Sequence, residues 1–182
     1  MAEIKTIAVI GAGVGRAIAL LAARAGYRTI LEDILPASLR RAESEIRKDL
    51  DQSVHQGILR REAANAAVAR IEYASSVEEA ARQADLVIEC VPDEMESKHE
   101  IFTLLDKICR PHTILASTTS ALSINDLASV TYRPQKCLGM RLGRAERLEL
   151  TRGAQTDDET FAACVKAGQR MVKDVVVTTG EV

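Results

Sequence analysis

A glycine-rich turn between an apolar strand pattern and an apolar helical pattern constrains the fold of this chain more than any other feature. The strand pattern covers residues 7–10 and runs directly into Gly11-Ala12-Gly13-Val14-Gly15, and the helical pattern follows from Arg16 to Ala25. Gly11 permits a tight turn and Gly13 lets a ligand approach the backbone, while the helix N-terminus supplies amide donors and a dipole that favours negative charge. The order of strand, glycines and helix predicts a binding site for the pyrophosphate of a dinucleotide.

An acidic residue follows the second predicted strand at the spacing that such a site requires. Asp33 comes after the strand pattern Arg28–Glu32, about twenty residues beyond the glycines, where a carboxylate accepts hydrogen bonds from the adenosine ribose. The same carboxylate would repel a 2′-phosphate, and Arg28 is the only basic residue near it, so the sequence predicts NAD rather than NADP. The competing interpretation is that the glycines serve only as a tight turn.

The glycine spacing is one residue short. The usual pattern has two residues between the second and third glycines, whereas Val14 stands alone between Gly13 and Gly15. The loss of one residue either rotates the start of the helix by about 100° or tightens the loop. We therefore expect a weakened cofactor site.

Composition and charge narrow the class of protein. The chain has 182 residues, 47% of them hydrophobic, and a formal net charge of −2. This composition suits a globular domain, and there is no excess of positive charge to attract nucleic acid or anionic lipid. The longest apolar stretch, Ala17 to Ala23, is far shorter than a membrane span, and no signal segment is evident, so we expect a cytoplasmic protein. The four cysteines are far apart in sequence and predict buried free thiols and no metal site.

The alternation of short β-branched runs with helical patterns predicts an α/β fold of the Rossmann type, with a doubly wound, mostly parallel sheet and helices on both faces. The predicted strands are Thr6–Ile10, Arg28–Glu32, Arg70–Tyr73, Asp85–Cys90, Thr113–Ala116, Lys136–Met140 and Asp174–Thr178. We expect residues 1–182 to form one dinucleotide-binding domain.

A helical hairpin is predicted after the second strand, over about residues 36–69. Pro36 suits a first helical turn, and Gly57 provides a break before an alanine-rich second helix. The basic residues of this segment either meet an anionic ligand or form a solvated charged face, since acidic residues are mixed in. They are Arg40, Arg41, Arg47, Lys48, Arg60 and Arg61.

Four stretches resemble the NAD-binding domain of the L-3-hydroxyacyl-CoA dehydrogenases. They are Val9–Gly13, Asp85–Asp93, His112–Ser120 and Cys137–Met140. The resemblance implies oxidation of an L-3-hydroxyacyl-CoA to the 3-ketoacyl-CoA, with a helical hairpin that helps to receive coenzyme A. It also implies that Asp93 and Lys98 contact the nicotinamide half of the cofactor and that Ser120 hydrogen-bonds the substrate, although a local turn bond would equally explain this serine.

The general base of that family is absent at its usual place. The family uses a histidine that takes the hydroxyl proton and a glutamate that orients the histidine, but here Arg141 stands at the histidine position within residues 139–144. A guanidinium stays protonated and cannot accept a proton. Glu149 matches the glutamate, so we expect an Arg141–Glu149 salt bridge.

The three histidines offer at most one substitute base. His112 precedes a predicted strand and should lie at the opposite edge of the sheet from Ser120. His55 lies on the predicted hairpin and should be on the surface. His99, next to Lys98, is the only substitute worth testing.

The family continues into an all-helical domain that covers the acyl chain and forms the dimer interface, whereas this sequence ends shortly after the last predicted strand. Without that domain we expect weak or no turnover and possible self-association through exposed apolar surface. Two hypotheses follow, a weakly active dehydrogenase domain and a non-catalytic NAD(H)-binding module, natural or engineered. A third, a structural protein with an empty crevice, requires that the short glycine loop exclude pyrophosphate.

Overall fold

The computed structural model describes residues 3–179 and alternates strands with helices along the chain. The strands are β1 (Thr6–Ile10), β2 (Arg28–Glu32), β3 (Ile71–Ala74), β4 (Leu86–Glu89), β5 (Ile114–Ser117), β6 (Cys137–Leu142), β7 (Arg147–Arg152) and β8 (Asp174–Thr179). The helices are α1 (Ala12–Arg24), α2 (Pro36–His55), α3 (Arg61–Ala69), α4 (Val77–Ala81), α5 (Met95–Ile108), α6 (Ile124–Ser129) and α7 (Asp158–Met171). No helix in this part of the chain is long and apolar enough to cross a membrane.

The strands form one eight-stranded sheet in the order β3-β2-β1-β4-β5-β6-β7-β8, in which β6 and β7 are the antiparallel pair. The predicted Rossmann-type fold is confirmed. The order of the strands reverses between β1 and β4, and ligands of open α/β sheets bind outside the carboxyl ends of the strands at such a point. The topology therefore places a binding crevice at the end of β1.

Two apolar layers cover the two faces of the sheet, and β1 is buried between them. Ile7 and Val9 join the layer on the side of α1, whereas Ala8 and Ile10 join the layer on the side of α5. Successive side chains of a strand point to opposite faces, so a strand covered on both faces must be apolar throughout. This explains why residues 7–10 have no polar alternation.

Two helices occupy the interval predicted for the hairpin. Gly57 has a φ of +70° just after the end of α2, in the left-handed region that favours glycine. The buried residues Ile46 of α2 and Ala67 of α3 join the apolar layer on the side of α1. Arg16 of α1 ties the hairpin to the glycine turn, because its guanidinium pairs with two acids of α2, Glu45 at 2.9 Å and Asp49 at 2.5 Å.

One strand of the sheet, β7, is not among the predicted strands. β7 follows β6 through a short turn and pairs with it from Leu142↔Leu148 to Leu138↔Arg152. It alternates two buried leucines with charged or polar residues, and this pattern is too short to predict a strand. The turn that joins the two strands holds Ala145 and Glu146 at φ of 55° and 54°.

The four cysteines are free and buried, as the sequence predicted. Burial raises the pKa of the Cys90 thiol to about 12, and it also raises that of Cys164 to about 12. These thiols are therefore protonated near neutral pH and act as small apolar side chains.

Candidate functional site

The glycines of the turn serve three different physical purposes. Gly11 has a φ of +100°, and a Cβ atom there would lie 3.0 Å from the carbonyl oxygen of Cys90. Gly15 packs against β1, since its Cβ would lie 2.5 Å from Cγ1 of Val9. A Cβ on Gly13 would meet nothing within 4 Å, so the backbone at Gly13 is open to close approach from outside.

The structure shows how the chain accommodates the missing residue. The helix α1 begins at Ala12, inside the glycine run, and the Gly15 amide donates a 3.1 Å hydrogen bond to the carbonyl of Gly11. Because Gly15 keeps its contact with β1, the loop has tightened and the helix remains packed on the strand. Val14 is 65% exposed at the rim of the turn.

Asp33 links the glycine turn to the end of β2. Its Oδ2 accepts a 3.0 Å hydrogen bond from the Ala12 amide, and its Oδ1 accepts a 2.9 Å hydrogen bond from the amide of Leu35. Each carboxylate oxygen has a further lone pair for another donor. The structure thus brings the predicted acid and the predicted glycines together.

A cleft of about 890 Å³ lies along the carboxyl ends of β1, β2 and β4. This volume is within the range of small-molecule and cofactor sites. Its walls include apolar side chains that suit an adenine ring, among them Ile34, which is 78% exposed, and Leu104, which is 39% exposed. Of the predicted cofactor residues, those that line the cleft are Gly11, Gly13, Val14, Asp33, Asp93 and Lys98. Ala12 and Gly15 lie beneath the turn and are not among the lining residues.

A buried ion pair lies at one wall of the cleft, where Lys98 is a lining residue. The Lys98 side chain is 1% exposed, and its Nζ lies 2.8 and 3.0 Å from the two carboxylate oxygens of Glu89 and 3.1 Å from the carbonyl oxygen of Val91. Glu89 also accepts hydrogen bonds from the Ser117 hydroxyl at 2.7 Å and from the Val91 amide at 2.7 Å. Both charges are therefore fully paired, as burial requires.

Sequence reasoning missed Glu89 and Ser117. Glu89 is the only charged residue of the otherwise apolar strand β4, and a carboxylate on a buried strand needs a cation or several donors. An acid at the end of this apolar strand could therefore have predicted a buried partner for Glu89 from the sequence. Lys98, nine residues further on, meets it from α5.

Ser120 hydrogen-bonds to Asp93. The carboxylate Oδ2 of Asp93 lies 3.3 Å from the Ser120 amide and 3.4 Å from the Ser120 hydroxyl. Partial desolvation acts to raise the pKa of Asp93, but hydrogen bonds from Thr119 and Ser120 and the charge of Lys98, 3.8 Å away, bring it below its usual value. Asp93 therefore remains an ionised acceptor between Lys98 and Ser120.

Arg141 and Glu149 lie opposite each other on β6 and β7 and form a hydrogen-bonded ion pair. The expected salt bridge is confirmed. Both side chains are partly exposed, at 43% and 27%, and neither lines the cleft of about 890 Å³. An arginine, whose side chain has no proton acceptor, thus occupies the position where the resemblance places a base.

None of the three histidines is among the described residues that line this cleft. His112 lies near Asp85, with 3.9 Å between its Nε2 and Oδ1 of Asp85. Asp85 also accepts a hydrogen bond from the amide of Thr6, the first residue of β1. His112 is therefore at the amino edge of the sheet, as expected. His55 is exposed at the end of α2. The Nε2 of His99 is buried and has no hydrogen-bond partner among the described residues, and His99 is not one of the residues that line the cleft.

The sheet, the glycine turn and the cleft together define a Rossmann-type dinucleotide-binding domain. The family model described as 3-hydroxyacyl-CoA dehydrogenase, NAD binding domain, matches residues 6–182. The chain belongs to this family, and its cofactor is NAD, as the glycine turn and Asp33 predict.

Relatives and solved structures agree with this family. The chain is 37% identical over 179 residues to the probable 3-hydroxybutyryl-CoA dehydrogenase of Bacillus subtilis, a match that covers 96% of this chain and 62% of the relative. The 3-hydroxybutyryl-CoA dehydrogenase of Bradyrhizobium diazoefficiens is 36% identical over 182 residues, with 97% and 62% covered. The crystal structure of (S)-3-hydroxybutyryl-CoA dehydrogenase from Ralstonia eutropha superposes with a TM-score of 0.93 at 29% identity and covers 98% of this chain and 65% of that one. The chain spans 62% of the length of both curated relatives.

Proposed function

We propose that the chain holds NAD(H) in the cleft of about 890 Å³ and that, by itself, it turns over 3-hydroxyacyl-CoA weakly or not at all. One observation supports the binding most directly. The open backbone at Gly13 and the carboxylate of Asp33 face the same cleft, and Asp33 is hydrogen-bonded to the turn. An amide-rich helix start for a pyrophosphate and an acid for a ribose are what a dinucleotide requires.

The residues divide into two groups along the cleft. Gly11, Gly13 and the amino end of α1 would receive the pyrophosphate, and Asp33 would receive the adenosine ribose. Asp93 and Lys98 stand further along and would orient the nicotinamide half. When bound, the nicotinamide ring supplies hydride chemistry, while the chain supplies position and charge.

The proton of the alcohol has no acceptor at the expected place. Arg141 is ion-paired with Glu149, and its guanidinium has only donors and no acceptor for a proton. Ser120 can orient a substrate oxygen but is not a base near neutral pH. We infer that binding of the cofactor is uncoupled from efficient oxidation, which favours the non-catalytic module over an active dehydrogenase.

An acyl-CoA is the proposed substrate class, because the named relatives are 3-hydroxybutyryl-CoA dehydrogenases. The helical hairpin would receive it. Two of the six basic residues there are held by acids of the same hairpin, Arg47 by Glu43 and Arg61 by Asp51. This pairing reduces the charge that the hairpin offers to an anionic ligand.

We further propose a cytoplasmic location, which is consistent with four free thiols. Self-association is the proposed oligomeric behaviour, since exposed apolar residues such as Ile58 and Val177 are 66% and 51% accessible. Sedimentation equilibrium tests it, and a single monomeric species at all concentrations would exclude it.

A two-step assay tests the proposed function. NADH fluorescence is titrated with the protein, and acetoacetyl-CoA is then added while NADH absorbance is followed. We expect saturable NADH binding and an oxidation rate close to the protein-free background. Absence of saturable binding would remove the proposal, and rapid oxidation would remove the claim that the base is missing. In the second case His99→Ala identifies or excludes His99 as the substitute.

A further inference from the structure

Glu32 brings a second carboxyl group to the adenosine end of the cleft. It is the last residue of β2, 4% exposed, and it lines the same cleft as Asp33. Because side chains alternate along a strand, Glu32 points to the face opposite that of Leu31, where Ile30 belongs to the apolar layer on the side of α5. A carboxyl group on that face of a buried strand has little access to water.

The groups that face Glu32 do not offer it a free cation. Asp33 follows it on its own strand, and the acids Glu78 of α4 and Asp93 before α5 line the same cleft. Lys98 is the basic residue among those lining it, and its charge is already taken by Glu89 at 2.8 Å. The backbone amide of Gly11 donates a 2.9 Å hydrogen bond to the main-chain carbonyl oxygen of Glu32, and its proximity favours the ionised form of the side chain.

Burial therefore has the largest effect on the pKa of the Glu32 carboxyl group. Desolvation, together with the negative charge of Asp33, raises the pKa of Glu32 to about 7, against the opposing effect of the Gly11 amide. Near neutral pH the group is divided between its neutral and its charged form. Its charge state can then follow what occupies the cleft.

We propose that Glu32 determines cofactor affinity by its charge, because the cleft accepts the adenosine end of NAD(H) when this carboxyl is neutral and opposes it when the carboxyl is ionised. The proposal rests on the proposed function. An occupant of the cleft would displace the remaining water around Glu32, and the pyrophosphate would bring negative charge to the glycine turn, which lines the same cleft as Glu32. Both effects penalise the carboxylate, so binding takes up a proton.

The direction of the pH dependence follows from linkage. A carboxyl whose pKa is higher in the complex than in the free protein favours binding at low pH. The affinity then falls as the pH rises through the pKa of the free protein, about 7. One proton taken up corresponds to a loss of at most about tenfold in affinity per pH unit above that point.

The test measures the NADH dissociation constant at about pH 6 and about pH 8.5 for the wild type, Glu32→Gln and the control Glu72→Gln. We expect the wild-type affinity to be about tenfold weaker at the higher pH. Glu32→Gln, which imitates the neutral acid, should bind equally at both. Glu72 lies outside the cleft, and its hydrogen bond with Arg28 lowers its pKa, so it stays ionised throughout and the control should retain the wild-type profile.

A second readout needs neither a variant nor turnover. The carboxyl ¹³C resonance of Glu32 should titrate with a midpoint near 7 in the free protein, and the midpoint should move upward when NADH is added. Saturable binding that is independent of pH, or an ordinary glutamate midpoint, overturns this inference and leaves the proposed function standing. No saturable binding at any pH overturns both.

Discussion

The roles of Gly13 and Gly15 can be distinguished by substitution with alanine, because the added methyl group should affect cofactor binding at Gly13 and stability at Gly15. At Gly15 the Cβ would lie 2.5 Å from Cγ1 of Val9, which is 0% exposed in the middle of the sheet. A 2.5 Å approach is a severe overlap, so overpacking should cost about 2–3 kcal/mol, partly offset by the gain of about 1 kcal/mol when alanine replaces glycine in a helix. We expect Gly15→Ala to lower the free energy of unfolding by about 1–2 kcal/mol.

At Gly13 the same methyl group meets nothing within 4 Å. Gly13 lies in the first turn of α1, so alanine should leave the free energy of unfolding unchanged or raise it by up to about 1 kcal/mol. The methyl would, however, stand where the pyrophosphate approaches the backbone. We expect NADH affinity to fall by about tenfold or more, equivalent to about 1.4 kcal/mol.

The pair of variants is measured by urea denaturation without ligand and by NADH fluorescence titration. Gly13→Ala should lose binding without losing stability, and Gly15→Ala should lose stability. If Gly13→Ala binds NADH as the wild type does, the pyrophosphate is not held at this turn. If Gly15→Ala is as stable as the wild type, the contact with β1 does not fix the helix.

Three further variants test separate parts of the structure. Glu89→Gln leaves the buried charge of Lys98 without its partner and should lower the free energy of unfolding by about 3 kcal/mol in urea denaturation; a change below about 1 kcal/mol would show that the pair is solvated. Arg141→His supplies a group that titrates near about 6.5, so oxidation of NADH by acetoacetyl-CoA should rise above the wild-type rate, and an unchanged rate would mean that the base is not what limits turnover. Replacing Ala145 and Glu146, at φ of 55° and 54°, by Asn and Gly should raise the free energy of unfolding by about 1–2 kcal/mol with NADH affinity unchanged, whereas a loss of stability would argue against the left-handed turn.

The sequence was most informative where one physical requirement acts on neighbouring residues. β1 and β2 were predicted with the bounds observed. β1 is an apolar run that ends just before Gly11, and β2 has the strand formers Thr29, Ile30 and Leu31 before the acid Asp33. The link between the turn and Asp33 also follows from local order, since the two strands are adjacent and parallel.

The sequence was least informative where partners are distant or patterns are short. β7 was missed because its alternation, Arg147 to Arg152, is brief and its pairing with β6 depends on a turn of unusual conformation. The Glu89–Lys98–Ser117 cluster joins two strands and a helix, so only the folded chain shows which donor each oxygen receives. From the sequence, Glu32 is only the last residue of a predicted strand, and its burial, at 4% exposure, is a property of the folded chain.

The selectivity between NADH and NADPH tests the central claim most directly. Asp33 is held against the glycine turn by its hydrogen bond to Ala12, so a 2′-phosphate would face a fixed carboxylate with Glu32 beside it. Parallel fluorescence titrations should give saturable NADH binding and NADPH binding weaker by about tenfold or more. Equal affinity for the two cofactors, or no saturation by NADH, would contradict a dinucleotide site built on Gly13 and Asp33.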